Sequence, residues 1–299
     1  MKIVVTGSLG HISRPLTEEL VQKGHSVVVI SSNPERKNEI EALGATAAIG
    51  KMQDSDFLAK IFHGADIVYA MEAVGFESFF DTSIDFVEEI HRIAKSYKEA
   101  ILKSGIKKVI HLSSIGAHTD KGNGILAFHY DAENILRELP EDVSIKFMRP
   151  VGFYYNLFGF VQTMKTQGAI VSNYGGDERE PWVSPLDIAK VIAEEIENPF
   201  EGRSFRYIAS DEVSPNEVAK ILGEAIGKPD LEWMVISDEE LMKGMIASGM
   251  TPKAAKGYTE MNASRRGGVL YEDYNRNKPV LGRTKLKDFA KDFAKVYNS

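Results

Sequence analysis

The chain has 299 residues, of which 43% are hydrophobic and 26% charged, a composition typical of a globular protein rather than a disordered or fibrous one. Its formal net charge of -7 and its lack of a basic block argue against nucleic-acid contact, which requires a basic face. The absence of cysteine excludes disulfides, thiolate metal sites and cysteine nucleophiles, and it fits the cytoplasmic location that we expect.

No apolar run approaches the roughly 20 residues that a membrane helix needs, and the N-terminus runs directly into a glycine-rich turn. We therefore expect a protein that is neither exported nor anchored to a membrane. No cluster of His, Asp and Glu has metal-ligand spacing, so we also expect no metal site.

Short β-branched runs alternate with amphipathic stretches from residue 2 to about 150, which predicts a parallel sheet flanked by helices. The predicted strands are Lys2 to Thr6, Ser26 to Ser31, Ala45 to Ile49, Ile67 to Ala70, Lys108 to Ser113 and Ser144 to Met148. Leu16 to Gln22 predicts a helix after the first strand. Asp85 to Ser104 has apolar residues at three- and four-residue spacing, which predicts a helix ended by Gly105.

After Arg149-Pro150 the pattern becomes irregular. Gly152 to Gly159 and Ser172 to Pro181 are interpreted as loops that cover something. The later predicted elements are a helix over Pro185 to Glu197, a strand over Ser204 to Ala209, a helix from Pro215, a strand over Leu231 to Ile236, further helices to about Ala263 and a last helix over Leu286 to Val296. The strand over Ser204 to Ala209 could rejoin the first sheet.

These elements predict an α/β fold, namely a Rossmann-type doubly wound parallel sheet with a smaller, interleaved C-terminal α/β lobe. We assign residues 1–150, rejoined by about 183–210, to a nucleotide-binding domain. Residues 151–182 and 211–299 are assigned to a lobe for substrate or interaction.

The first strand leads into a glycine turn that precedes a helix, which is the arrangement that holds a dinucleotide. Gly7 permits the sharp turn, and Gly10 allows the backbone to approach a diphosphate at the helix N-terminus. Ser13 stands where a third glycine is usual, and a small serine costs little there. The predicted cofactor-binding residues of this turn are Gly7, Ser8, Leu9, Gly10, His11, Ile12 and Ser13.

The second strand ends without the Asp or Glu that would bind a ribose 2′-hydroxyl. Ser32 and Asn33 could donate hydrogen bonds to a 2′-phosphate, and Arg36 or Lys37 could face its charge, which favours NADP(H) over NAD(H). The alternative interpretation is a capped helix start with basic surface residues.

Four segments in this order resemble the NmrA-like branch of the atypical short-chain dehydrogenases/reductases. The segments are Gly7-x-x-Gly10-x-Ile12-Ser13, Ser113-Ser114, Arg149-Pro150-x-x-Phe153-Tyr154-x-Asn156 and Pro181-Trp182-Val183-x-x-x-Asp187-Ile188-Ala189. The resemblance covers residues 1 to about 210, and it extends to the C-terminal third only by size and position.

The resemblance implies a role for several further positions. It implies that Ala70, Met71 and Glu72 line the adenosine and ribose, and that the strand ending at Ser113 leads to the nicotinamide. It implies that Pro150, Gly152, Phe153 and Asn156 close over the nicotinamide side and the substrate. Asp187 is interpreted instead as the anchor of a helix N-terminus.

Ordinary short-chain dehydrogenases use a Tyr-x-x-x-Lys pair, which this chain lacks because the fourth residue after Tyr130 is Asn134. Alignment on Glu133 and Leu136 places His129 at the lysine position, similar to NmrA-like quinone reductases. His129 could hold the ribose, orient the acceptor or deliver a proton, or it could be a histidine of the helix surface or the helix cap. We take His129, Ser114 and Tyr130 as the candidate catalytic residues.

Two further groups have two interpretations each. Ser113 and Ser114 either bind a substrate carbonyl or satisfy backbone groups at a strand end. Phe153, Tyr154, Tyr155 and Phe158 either stack on a flat acceptor or pack the lobe. His111 is interpreted as a residue of the core or the sheet surface, and His11 as one that packs near the cofactor.

The leading hypothesis is an NADP(H)-dependent reductase of a small flat acceptor, such as a quinone or an azo compound, acting as a monomer or a homodimer. The alternative is a non-catalytic NADP(H) sensor that regulates a partner. Isomerisation or dehydration of a sugar nucleotide is disfavoured, because the resemblance implies that such enzymes need the Tyr-x-x-x-Lys pair.

Overall fold

The computed structural model describes residues 1–299, with only the backbone described at residue 76. The strands, β1 to β12, are Lys2–Val5, Ser26–Ser31, Thr46–Ile49, Ile67–Ala70, Lys108–Leu112, Ser144–Pro150, Gly152–Phe153, Ala169–Ser172, Glu180–Val183, Arg203–Ile208, Asp211–Val213 and Glu232–Val235. The α-helices, α1 to α12, are Ser13–Gln22, Lys37–Ala42, Ser55–Phe62, Phe86–Ser104, Ala127–Arg137, Val161–Gln167, Pro185–Glu197, Pro215–Ala225, Asp238–Ala247, Pro252–Ala263, Glu272–Arg276 and Leu286–Asn298.

A central sheet of seven parallel strands in the order β10-β6-β5-β4-β1-β2-β3 confirms the predicted Rossmann-type fold. The strand order reverses between β1 and β4, so the crevice used by ligands of such sheets lies at the carboxyl ends of these two strands. The turn after Val5 and the segment after Ala70 both begin at this crevice.

Alternation along the strands builds a core on each face of the sheet. Within β1, Val5 packs with Leu16 of α1 and Ile188 of α7, whereas Val4 packs with Leu58 of α3 and Tyr97 of α4. Successive strand residues point to opposite faces, and β-branched residues suit a strand that is covered on both faces. The sheet is therefore held rigidly between two helical layers.

The strand β10 joins the central sheet beside β6, with Phe205 opposite Phe147. The prediction of a returning strand over Ser204 to Ala209 is confirmed, with a shift of one residue at each end. The remaining strands form two small sheets, β11-β9-β7 and β12-β8, beside a third core that includes Trp182, Trp233 and Phe293. The division into two domains stays a prediction.

The helix that was predicted over Asp85 to Ser104 spans Phe86–Ser104, with Asp85 as its N-cap and Gly105 as its left-handed C-cap at φ 75°. The prediction of a loop over Gly152 to Gly159 is wrong. These residues form β7 and part of a 3₁₀ helix, Tyr154–Phe160. A helix of this type lacks the 3.6-residue period on which the prediction depended.

Asp187 does not cap α7, contrary to its interpretation as the helix anchor. The Ser184 hydroxyl accepts the cap hydrogen bond from the Leu186 amide at 3.2 Å. The Asp187 carboxylate instead accepts hydrogen bonds from the Ser210 hydroxyl at 2.6 Å and the Thr284 amide at 2.9 Å. It thereby fixes the approach to α12, which is a structural role of a different kind.

Candidate functional site

The glycine turn depends on Gly7 for both its conformation and its packing. Gly7 has a φ of 84°, and a Cβ added there would lie 2.5 Å from the Met71 sulfur and 2.7 Å from the Ser13 hydroxyl. Ser13 is buried and donates a hydrogen bond to the Thr6 carbonyl at 2.9 Å. Serine at the third position therefore joins α1 to the end of β1.

The N-terminus of α1 presents backbone amides that have no internal partner. The Ser8 amide donates to Ile30 at 3.0 Å and the Gly10 amide to Gly7 at 3.1 Å. The amides with no acceptor among the described residues are those of Leu9, His11, Ile12 and Ser13. Free amides at a helix N-terminus are donors for a diphosphate, so these residues fit the dinucleotide that the sequence predicts.

The side chains at the end of β2 make the contacts of a capped helix start with basic surface residues. The Asn33 side-chain oxygen accepts a hydrogen bond from the Glu35 amide at 2.9 Å, as in the capped-start interpretation, while Ser32 is exposed. Arg36 forms an ion pair with Glu39. The Lys37 ammonium lies 4.0 Å from Glu41.

Arg14 is a residue that the sequence reasoning missed. It lies in the first turn of α1, and its guanidinium also pairs with Glu39. Two arginines from different helices thus converge on one carboxylate beside the β2 end. The only signal in the sequence is the position of Arg14 directly after the glycine turn.

Glu72, expected to line the adenosine and ribose, is engaged elsewhere. Its carboxylate accepts a hydrogen bond from His111 Nε2 at 2.9 Å, and both side chains are almost fully buried. Burial opposes the charged imidazolium, but the Glu72 carboxylate outweighs it and raises the pKa of His111. Ala70 is buried at the end of β4, and Met71 packs below Gly7.

Ser113 and Ser114 differ in whether the side-chain hydroxyl is available to a ligand. The buried Ser113 hydroxyl donates to the Glu133 carboxylate at 2.7 Å, so it satisfies a protein group at the strand end. The half-buried Ser114 hydroxyl bonds to no residue in the part of the chain that the structure describes. Ser114 is therefore the serine with a free hydroxyl.

His129 and Glu133 are one turn apart on the same face of α5. Glu133 accepts two hydrogen bonds from Arg149, from Nε and Nη2, each at 2.8 Å. His129 lies against Phe128, with ring centroids 4.1 Å apart, and its buried Nδ1 has no partner among the residues described. Burial lowers the pKa of His129 to about 4, so the ring is neutral at neutral pH.

Tyr130 does not share that face, because successive helix residues are turned by about 100°. It is half-buried. The structure therefore brings His129 together with the Glu133 pair, but not Tyr130.

The aromatic residues after β6 fall into two groups, those that pack the lobe and those that lie near the glycine turn. Tyr154 is buried against Trp182, and Phe158 stacks on Phe293 at 5.5 Å, so these rings pack the lobe. Tyr155 is partly exposed and lies over His11 of the glycine turn, with ring centroids 4.7 Å apart. The ring centroids of Tyr155 and Phe153 are 6.3 Å apart.

The residues around this aromatic segment are placed by backbone pairing. The Pro150 carbonyl accepts a hydrogen bond from the Ile115 amide at 2.8 Å, and β7 pairs Gly152 with Trp182. Asn156 is exposed. The structure thus brings Phe153, Tyr155 and His11 to one place, and leaves Asn156 at the surface.

Neither a membrane-spanning helix nor a metal cluster is found in residues 1–75 and 77–299. None of their helices combines the length and apolarity needed to cross a bilayer. No group of three or more His, Asp and Glu among them could hold a metal ion.

Comparison with known proteins finds one family and several relatives of the same fold. The sequence pattern of the NmrA-like family matches residues 1–267. An uncharacterized protein of Schizosaccharomyces pombe is 23% identical over 261 residues, which cover 80% of this chain and 84% of that protein.

Two solved structures are similar over nearly the whole chain. An NADPH-dependent quinone oxidoreductase from Escherichia coli, complexed with NADPH, superimposes with a TM-score of 0.78 at 17% identity, covering 97% of this chain and 99% of that one. A triphenylmethane reductase of Citrobacter sp. gives 0.76 at 19% identity, covering 99% and 100%. At these identities the likeness establishes the fold.

Proposed function

Because the chain belongs to the NmrA-like family, we propose that it is an NADP(H)-dependent reductase of a small, flat acceptor such as a quinone or an azo compound. The observation that carries this proposal is the row of amides at the N-terminus of α1 that have no acceptor among the residues described. When bound there, the nicotinamide nucleotide supplies hydride. The relatives named as quinone and triphenylmethane reductases support the same reaction class.

The chain's own residues would divide the work as follows. The amides of Leu9, His11, Ile12 and Ser13 bind the diphosphate. Tyr155, which lies over His11 of the glycine turn, and Phe153 beside it cover the crevice and exclude water. His129 orients the acceptor or the nicotinamide ribose as a neutral hydrogen-bonding group, because a pKa of about 4 leaves too little imidazolium at pH 7 to deliver a proton.

The preference for NADP(H) would come from Arg14 and Arg36. Both guanidiniums meet at Glu39 beside the end of β2, where the ribose 2′-position lies in sheets of this type. Arg36 is the residue that the sequence predicts for this role, and we add Arg14 to it because both pair with Glu39. Glu39 positions the two guanidiniums, but its negative charge repels a phosphate. It therefore weakens the preference for NADP(H) over NAD(H).

Calorimetric titration with NADPH, NADP, NADH and NAD tests the cofactor site. Gly10→Asp places a carboxylate at the turn, and we expect it to weaken NADPH binding by about 100-fold or more. Gly244→Asp on the exposed face of α9, where an added side chain meets open space, is the matched control and should bind as the unaltered protein does. Equal affinity of Gly10→Asp for NADPH would contradict the proposal.

Glu39→Gln tests the cofactor preference in the same titration. Removing the negative charge should tighten NADPH binding by about three- to tenfold and leave NADH binding unchanged, because only NADPH carries the 2′-phosphate. Tighter binding of both nucleotides would mean that the arginines do not meet the 2′-phosphate.

NADPH oxidation with a panel of quinones and azo compounds tests the enzyme itself. The alternative function, an NADP(H) sensor, is favoured by one observation, namely that the Ser113 hydroxyl is committed to Glu133. Tight nucleotide binding without turnover of any acceptor in the panel would support the sensor and remove the reductase.

A further inference from the structure

A row of aromatic rings connects His129 with helix α10. Successive centroid distances are 4.1 Å from His129 to Phe128, 6.3 Å to Phe86, 5.0 Å to Phe79 and 5.5 Å to Tyr258. We call these five rings the aromatic row. They belong to four different segments, so only the folded chain assembles them. Phe86 is buried, and the other four rings are half-buried, which leaves part of each open to a flat aromatic molecule.

Helix α10 is held beside this row by close backbone contact with Gly124 and by two polar contacts. A Cβ added to Gly124 would lie 2.2 Å from the Gly257 carbonyl oxygen and 2.5 Å from the Met261 amide nitrogen, so only glycine allows this approach. The Thr251 amide donates to the Phe79 carbonyl at 2.8 Å, and Lys253 pairs with Asp85 at 2.6 Å. These contacts fix where Tyr258 lies.

Tyr258 forms the end of the aromatic row opposite His129, and it carries a phenol hydroxyl. Its ring is half-buried, and its hydroxyl bonds to no residue whose placement the structure describes. Burial and the nearby Tyr155 hydroxyl raise the pKa of Tyr258, so its O–H stays protonated and is a donor at neutral pH. Tyr155 in turn lies over His11, which connects Tyr258 to the cofactor crevice.

We propose that Tyr258 is the acceptor-binding residue, whose O–H donates a hydrogen bond to a carbonyl oxygen of a quinone that lies against the aromatic row. This inference rests on the proposed reductase function and narrows the acceptor to aromatic carbonyl compounds. The Tyr258 hydroxyl therefore favours acceptors that have a carbonyl oxygen, whereas packing against the rings favours acceptors that are flat.

Direct binding to the protein saturated with NADP⁺ tests this assignment without turnover. The ligands are menadione and 2-methylnaphthalene, which share one carbon skeleton and differ by the two carbonyl oxygens, measured by equilibrium dialysis. We expect Tyr258→Phe to weaken menadione binding by about five- to tenfold, the effect of one hydrogen bond, and to leave 2-methylnaphthalene binding unchanged. Tyr297→Phe, a buried ring in α12 within the third core, is the matched control and should change neither.

Each other result overturns the assignment in a recognisable way. Unchanged menadione binding by Tyr258→Phe means that another group holds the oxygen, and the reductase proposal stands. Equal weakening of both ligands means that Tyr258 only packs against them. If the unaltered protein binds NADP⁺ but neither aromatic ligand, the acceptor proposal falls together with the role of Tyr258.

Discussion

His111 and His129 lie on the neighbouring elements β5 and α5, and both present a buried Nδ1 without a partner in the described chain. Burial disfavours the imidazolium at both positions. Glu72 at 2.9 Å overcomes this effect at His111 and raises its pKa, whereas burial prevails at His129 and lowers its pKa to about 4. The two neighbouring imidazoles therefore have pKa values that are shifted in opposite directions.

The low pKa of His129 predicts how the free energy of unfolding depends on pH. Between pH 6.5 and about 4 the unfolded chain protonates this histidine and the folded chain does not, so acidification destabilises the fold. His129→Gln should remove that loss, which for one proton is at most about 1.4 kcal/mol per pH unit.

Urea denaturation of both proteins at several pH values measures this effect. The difference in unfolding free energy, unaltered protein minus His129→Gln, should fall as the pH is lowered through this window and be constant above pH 7. A difference that stays constant down to pH 4 would show that His129 is freely protonated in the folded protein.

Residues that the local backbone conformation requires could be predicted from the sequence. Residues whose partners lie far away in the sequence could not. Gly7 and Gly105 were assigned because turns and caps with a positive φ favour glycine. The Glu72–His111 pair was missed because it depends on the register of β4 and β5, which sets Ala70 opposite His111. Arg14 was missed because its partner lies on another helix.

At the scale of elements, α5 is held against the sheet by one buried carboxylate. Glu133 accepts hydrogen bonds from Arg149, Ser113 and Arg137, and its side chain is 2% exposed. Burial opposes the charge, but Arg149 outweighs it and lowers the pKa of Glu133. The position of His129, one turn earlier, follows from this anchor.

Replacing Glu133 by glutamine should leave Arg149 buried without its counter-charge. We expect a loss of about 3 kcal/mol in the free energy of unfolding, measured by urea denaturation. The matched control is Glu239→Gln in the exposed pair with Lys243, which should change stability by about 0.5 kcal/mol or less. Equal effects of the two substitutions would show that the Glu133 pair does not anchor α5.

Long regular elements were predicted to within one to three residues at each end, whereas short elements made by distant pairing were not. The helix α4 has a clear 3.6-residue period, an Asp cap and a terminal glycine, each readable locally. The strand β7 has two residues and exists because it pairs with β9, about thirty residues further along the chain.

For the whole molecule, α7 and β10 return the chain to the first predicted domain and complete its sheet and core. The helix α7 covers one face of the sheet through Ile188 and Ile192, and β10 covers the edge of β6. Both elements follow residues 151–182, the first segment of the predicted lobe, in the sequence. The nucleotide-binding domain that we propose is therefore complete only with residues 183–210.

Two fragments test this division of the chain. Residues 1–210 keep α7 and β10, and we expect them to unfold cooperatively on heating, as followed by circular dichroism. Residues 1–182 lose both elements and should show no cooperative transition, because the core face next to Leu16 is uncovered and β6 becomes an open edge. Similar cooperative melting of both fragments would contradict the proposed boundaries.

The pairing of β10 with β6 has a consequence for synthesis on the ribosome. Residues are added at about 5–20 per second, and about fifty of them separate the two strands, so β6 waits several seconds for its neighbour. During that interval the nascent chain exposes hydrogen-bonding groups and apolar side chains of an unfinished sheet. Chaperone capture of ribosome-bound chains should therefore decline only after residue 208 has left the exit tunnel.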